Sequence, residues 1–334
     1  MATYKGIQGY SVQKLSSDPT ASEAEGQLWY NSTSGKFKIA VAGAGAWASG
    51  TAVNTASSEG ASANSTAGTT SALKFGGSTT NPAPGNQTTN TESWNGSTWT
   101  EVNNLNTARR QLSGCGTSST AALAISGKAP PLAEVTSCET YDGTSWSEGN
   151  GVNTARDGLS INMSAGSTTA ALLYGGYIPA ATDKSETYDG TCWTETNALV
   201  RTTVYASGTG SSTAALCIGG EAPSITTDVM DYDGTSWTEV NNLTSTASSS
   251  ASGGTPSAAI TAGGYSAGYP AKTMKYDGTS WTEVGAMGVA RAYGQSSGLT
   301  SASMMYISGY YPAPVTTVEE WNDPVYTVKT VTVS

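Results

Sequence analysis

Four arginines recur at comparable places along this chain: Arg109, Arg156, Arg291 and, after a shorter loop, Arg201. Five tyrosines, Tyr177, Tyr265, Tyr269, Tyr310 and Tyr311, sit in variable loops that also carry proline. Converging guanidinium groups can hold a carboxylate, as on an acidic sugar, through charge-assisted hydrogen bonds. Exposed tyrosines on rigid loops suit sugar stacking or a protein contact, because each offers an apolar ring with a polar tip. Other chemistry is missing. There is no histidine, which removes the commonest metal ligand, the usual general base near neutral pH and any Ser-His-Asp triad. The cysteines, Cys115, Cys138, Cys192 and Cys217, form no Cys-x-x-Cys pair that would support zinc. They read as buried free thiols acting as small hydrophobes. The expectation is a binding protein with no catalytic residue, metal or cofactor.

A second pattern competes for a chemical reading. YDGTSW occurs at 141–146, 232–237 and 276–281, with YDGTCW at 188–193 and WNGSTW at 94–99. Each copy offers a single carboxylate, and the first has Asn95 instead. Calcium requires several oxygen ligands close together, so a row of metal sites is a poor fit. Asp-Gly and Asn-Gly between aromatic-flanked runs are tight-hairpin motifs, since a primed turn needs positive φ. The expected role is a structural joint in which Trp99, Tyr141, Trp146, Tyr188, Trp193, Tyr232, Trp237, Tyr276 and Trp281 wedge between neighbouring sheets.

These joints impose a period. The second aromatic falls at Trp47, Trp99, Trp146, Trp193, Trp237 and Trp281, with Tyr326 as a further candidate; subtraction gives spacings of 52, 47, 47, 44, 44 and 45. Repeats of roughly 40–50 residues are the range of propeller blades. Within each unit an apolar run ends at glycine: LKFGG (73–77), LAISG (123–127), LLYGG (172–176), LCIGG (216–220), ITAGG (260–264) and MMYISG (304–309). The order predicts four short strands per unit, A to D. The D–A loops with the arginines and the B–C loops with the tyrosines then emerge at the same end. Symmetric placement makes a structural role for the arginines, tying one unit to the next through carbonyls or a glutamate, the stronger of their two readings.

A diglycine after an apolar strand, then an aromatic, then Trp a few residues on, resembles the kelch repeat family over about residues 50–325. The resemblance implies a six-bladed β-propeller and little about function, because such propellers host many roles. Ser126-Gly127 and Ser308-Gly309 depart from the diglycine, and the sixth joint is degenerate (Trp321-Asn322-Asp323-Pro324). The tail VYTVKTVTVS is expected to supply a closing strand, with the Trp47 segment as the alternative. Two propeller enzymes bear comparison. Galactose oxidase needs copper-binding histidines, which are absent. Sialidases carry an Asp-box with a different spacing, so a sialidase-like glycosidase is a minor alternative.

Residues 1–50 stand outside the repeat. EGQLWYNSTSGKFKIA (25–40) reads as a β-hairpin and resembles a short segment of phage tail-fibre and other virion proteins. The Gly/Ser/Thr-rich units likewise look similar to repeats in structural proteins of marine bacteriophages. Charged residues make up 12% of the chain, the formal net charge is −10, and no basic block exists; nucleic-acid or anionic-membrane partners are not expected. MATYKGIQGYSVQKLSSDP lacks the apolar core of a signal peptide, and no run of about 18 apolar residues points to a membrane span. The sequence therefore predicts an all-β, six-bladed kelch-like β-propeller (51–334) with an N-terminal attachment hairpin (1–50). The expected role is a non-enzymatic phage virion structural protein, assembled in a cytoplasm and exposed after release. Residues 1–50 would dock it to other virion proteins, and the loops would face a host-surface glycan or protein. Capsid decoration or tail assembly without a receptor, and a cytoplasmic kelch adaptor, are the alternatives.

Overall fold

Every apolar run that ends in glycine becomes the second strand of a four-stranded antiparallel sheet. The computed structural model describes residues 12–19, 27–42, 45–63, 68–80, 86–159, 163–323 and 326–332. Most of the N-terminal segment read for a signal peptide, residues 1–11, lies outside them. The described residues divide into two compact units, 46–322 and 1–45 with 323–334. The repeat unit thus begins at 46 rather than 51 and ends at 322 rather than 334, the bounds read from the sequence.

Within 46–322 the described residues form six four-stranded sheets. The first holds Ala61–Ala63, Ala72–Phe75, Thr91–Trp94 and Trp99–Glu101. The second holds Ser113–Ser118, Ala121–Ile125, Cys138–Tyr141 and Trp146–Gly149. The third holds Ser164–Gly166, Ala171–Tyr174, Ser185–Tyr188 and Trp193–Thr196. The fourth holds Ser207–Ser211, Ala214–Ile218, Val229–Tyr232 and Trp237–Val240. The fifth holds Ala251–Thr255, Ala258–Ala262, Thr273–Tyr276 and Trp281–Val284. The sixth takes Gln295–Thr300, Ser303–Ile307 and Val318–Asn322 and is completed by Ala46–Ser49. Strands are lettered A to D within each sheet, in the order given. Strand B is buried along nearly its whole length, because neighbouring sheets cover both faces.

The sheets follow one another in a closed circuit. Strand A of each sheet touches strand A of the next, and that of the sixth touches that of the first. Side chains at this crowded centre are small, and serine hydroxyls bridge the strands: Ser62 donates to Ser296 O at 2.6 Å, Ser296 to Ser252 O at 2.8 Å and Ser252 to Gly208 O at 2.6 Å. A second circuit runs through the glycines that end the apolar runs. Gly77 N–H donates to Arg109 O, Gly127 to Arg156 O, Gly176 to Thr203 O, Gly220 to Ala247 O, Gly264 to Arg291 O and Gly309 to Ser57 O, all within 2.8–3.1 Å. Each bond joins the end of one sheet's strand B to the segment leading into the next sheet. The position before it holds a positive φ, as at Gly219 (+64°), where an added Cβ would lie 2.2 Å from Ala247 O. Ser126 and Ser308 adopt this conformation too (φ 55° and 58°). Their hydroxyls compensate: Ser126 donates to Val135 O and accepts from Arg156 N, and Ser308 donates to Val315 O.

The YDGTSW copies are joints. Tyr141 pairs with Trp146 across strands C and D with ring centroids 5.1 Å apart, and Tyr188–Trp193, Tyr232–Trp237 and Tyr276–Trp281 repeat this at 5.0 Å. Asp142, Asp189, Asp233 and Asp277 each accept two backbone N–H bonds from residues two and three further on, and Asn95 does the same. Joint tryptophans lean on the preceding sheet: Trp146 meets Phe75 edge-on at 4.9 Å, and Trp237 meets Tyr174 at 4.9 Å and donates to Ser185 Oγ. The degenerate sixth joint is repaired from elsewhere in the chain. Trp321 pairs with Trp47, ring centroids 5.8 Å apart, and Trp47 Nε1 donates to Thr273 Oγ1 of the fifth sheet.

The expectation that the tail closes the ring is therefore corrected. Strand Tyr326–Thr330 pairs with Lys36–Ala42 in the other unit, a four-stranded sheet of Gln13–Leu15, Leu28–Asn31, Lys36–Ala42 and Tyr326–Thr330. The predicted hairpin is its centre, turning at Gly35 (φ 66°). Asp18 gathers Trp29 Nε1, Asn31 Nδ2 and Lys38 Nζ around one carboxylate. The cysteine reading needs one correction: Cys115, Cys138 and Cys217 are buried, but Cys192 is exposed in its turn. Burial pushes the Cys115 thiol to about 12 and Cys138 to about 11. No helix among the described residues is long and apolar enough to cross a membrane.

Candidate binding face

Six isolated β-bridges bring the D–A and B–C loops side by side: Ser58 with Ser78, Arg110 with Lys128, Asp157 with Tyr177, Val204 with Glu221, Ser248 with Tyr265 and Ala292 with Tyr310. One face of the repeat unit thus carries both sets of loops singled out by the sequence.

The arginines are not available on that face. Arg109, Arg156 and Arg291 are fully buried. Arg109 donates to Glu139 Oε1 at 2.7 Å and to Ser126 O and Ser137 O. Arg156 pairs with Glu186 and donates to Gly175 O and Lys184 O. Arg291 pairs with Glu319, donates to Ser308 O and lies over the Tyr306 ring at 4.4 Å. Each glutamate also accepts backbone N–H bonds from the loop entering its own sheet, such as Asn106 and Thr107 on Glu139. Arg201 does not share this position. It is partly exposed and pairs with Asp228 and Glu239. The guanidinium clamp for an acidic ligand is therefore overturned, because every one of the four arginines is committed within the scaffold. In the first sheet Lys74 on strand B does the arginine's work, 3.3 Å from Glu92, while Ser57 stands at the arginine position. In the fourth and fifth sheets Met230 and Met274 replace the glutamate, and Thr203 and Ala247 replace the arginine. Cation and anion disappear together, since a lone buried charge costs far more than the pair contributes.

The tyrosines are brought together in part. Tyr269 lies 5.4 Å from Tyr265, 6.0 Å from Tyr310 and 4.9 Å from Tyr311, ring centroid to centroid. Two neighbouring B–C loops thus build one aromatic cluster with Tyr311 at its exposed edge. Burial and the adjoining phenols raise the Tyr269 pKa. Tyr177 stands apart on the third sheet's loop, 42% exposed.

A second cluster escaped the sequence reading. Glu59, Gln111, Tyr205, Ser249 and Tyr293 occupy equivalent places just before strand A, with left-handed φ of 51–57°, and Gly158 fills the same place in the third sheet. Gln111 N–H donates to Glu59 O, Glu59 to Tyr293 O, Tyr293 to Ser249 O, Ser249 to Tyr205 O and Tyr205 to Gly158 O, at 2.7–3.0 Å. Leu159 N–H completes the circle on Gln111 O at 3.4 Å. Their side chains meet: Gln111 Nε2 donates to Glu59 Oε1 at 3.0 Å and to Tyr205 OH at 3.4 Å, and Arg110 bonds Glu59 Oε2 at 3.0 Å. Burial, then Asp157 and Glu59, raise the Tyr205 pKa; burial takes Tyr293 to about 12. The fixed offset of six residues after the apolar anchors Val53, Leu105, Leu199, Leu243 and Met287 was the available clue. Among the described residues no group of three or more Cys, Asp or Glu side chains is placed to hold a metal ion.

No family model matches the chain, and no curated protein matches it in sequence. A solved structure described as "Structure of YjhT" does match, with a TM-score of 0.64 and 14% identity over 83% of this chain and 99% of that one. The fold is propeller-like. At that identity the likeness extends to architecture alone.

Proposed function

We propose that this chain is a non-enzymatic virion structural protein, a six-bladed kelch-like propeller displayed on a phage particle that binds a host-surface glycan through its B–C loops. The aromatic cluster of Tyr265, Tyr269, Tyr310 and Tyr311 carries the reading. Four phenols from two loops meet at one spot and leave Tyr311 half in solvent, the arrangement that stacks on a sugar face while its hydroxyls hydrogen-bond. The six sheets joined by cyclic hydrogen bonds support the blade count, and the diglycine-to-tryptophan pattern supports the kelch comparison. The hairpin of the smaller unit, with its likeness to tail-fibre segments, supports docking to other virion proteins. A glycosidase built on an arginine cluster loses its basis, since those arginines are internally paired.

Two measurements test this. Labelled-antibody electron microscopy of purified particles, with a copy count, is expected to mark the tail or fibre tips. Even labelling of the capsid would mean decoration without a receptor, and absence from every particle would end the virion reading. A glycan array with the purified protein is expected to show binding that Tyr269→Ala and Tyr311→Ala abolish while the melting temperature stays within a degree or two.

A further inference from the structure

A groove of about 430 Å³ opens between the third and fourth sheets on the loop face. Tyr177 forms one wall, Ala181, Val204 and Pro223 supply aliphatic surface, and Glu221 and Thr202 supply polar atoms. Its size lies within the range of small-molecule sites, about 300–1,000 Å³. Glu221 is set in place by its backbone, which exchanges two hydrogen bonds with Val204 at 2.8 and 3.0 Å.

We infer that this groove is a second saccharide site, separate from the Tyr269 cluster, and that it takes a neutral pyranose rather than an acidic one. The class of ligand rests on the glycan-binding reading above. The exposed Tyr177 ring and the aliphatic wall match the C–H face of a sugar, and a carboxylate accepts from sugar hydroxyls in charge-assisted bonds. An acidic sugar meets the opposite situation. The basic residues between 150 and 240 are Arg156, Lys184 and Arg201, and they are engaged by Glu186, by Glu195 and by Asp228 with Glu239. Each of these cations already has an acidic partner, and Glu221 repels a sugar carboxylate.

Saturation-transfer NMR and calorimetry on the full chain would use methyl galactopyranoside, methyl mannopyranoside and methyl glucopyranoside, with methyl glucuronide as the acidic probe. A neutral glycoside is expected to bind, with the glucuronide at least about tenfold weaker. Tyr177→Ala is expected to remove binding. Glu221→Gln, which keeps the shape, is expected to weaken the neutral sugar and narrow the gap to the glucuronide. Tyr269→Ala is expected to leave this binding unchanged. Equal or stronger glucuronide binding, indifference to both groove variants, or no binding by any neutral probe would overturn the inference. Loss with Tyr269→Ala alone would preserve the loop-cluster reading and remove this one; loss with the groove variants alone supports this one and leaves the loop cluster to be decided by the glycan array.

Discussion

Asp142, Asp189, Asp233 and Asp277 show how one side chain fixes a repeated turn. Backbone N–H groups on each carboxylate hold its pKa below the usual range. A carboxyl group whose pKa is depressed on folding adds stability above its unfolded pKa, and loses it as pH falls through the folded value. Stability should therefore decline on acidification below the ordinary aspartate range. Asn95 makes the same two bonds without a charge, so changing all four aspartates to asparagine should keep the turns, lower the neutral-pH melting temperature modestly and flatten that acid decline. Thermal melts between neutral and acidic pH would check both halves. The buried pairs invite a different test. Glu186→Met leaves Arg156 enclosed without a counter-charge, and urea unfolding should report a loss of about 3–5 kcal/mol. Adding Arg156→Thr, which copies the fourth sheet, should recover most of it. The arginines were visible in the sequence as a recurrence. Their partners were not, because each glutamate lies about 30 residues on and is one of many acids in the chain.

At the scale of the strand, the period, the apolar runs and the joints were legible because each rests on local chemistry: a turn needing positive φ, an aromatic either side, an apolar strand covered on both faces. Departures were legible only as departures. Ser126 keeps the left-handed conformation through hydrogen bonds that no spacing announces. Gly219 has no such latitude, and Gly219→Ala should cost about 2–4 kcal/mol, from positive φ and from collision with Ala247 O. The tryptophan wedges differ in one useful respect. Trp237 and Trp47 donate to Ser185 and Thr273 at the start of the preceding strand C, where the fourth sheet has Val229. Trp281 Nε1 there is buried without a partner. Val229→Thr should supply an acceptor and raise stability by about 1 kcal/mol, readable as a higher urea midpoint.

For the molecule as a whole, the all-β, propeller-like architecture followed from the period, and the position of closure did not. Strand pairing between distant segments depends on which edge is left open, and two short candidate strands satisfied the pattern equally well. Pairing of Ala46–Ser49 with Val318–Asn322 decides it. A truncation and a substitution should behave differently. Removing 323–334 should leave the main unfolding transition of the repeat unit in place. Trp47→Ala, which deletes the contact with Trp321 and the bond to Thr273, should lower its stability by about 2–3 kcal/mol. Differential scanning calorimetry separates the two.

That closure also sets a timetable for biosynthesis. The strand that completes the sixth sheet is translated before every other strand of the repeat unit, and its partner emerges about 270 residues later. At roughly 5–20 residues per second the wait is on the order of tens of seconds. Throughout it, both Ala46–Ser49 and the exposed edge of the growing array lack partners. A four-residue strand is a poor template for mispairing, so its brevity guards the nascent chain, and the ring can shut only after the last sheet has left the ribosome.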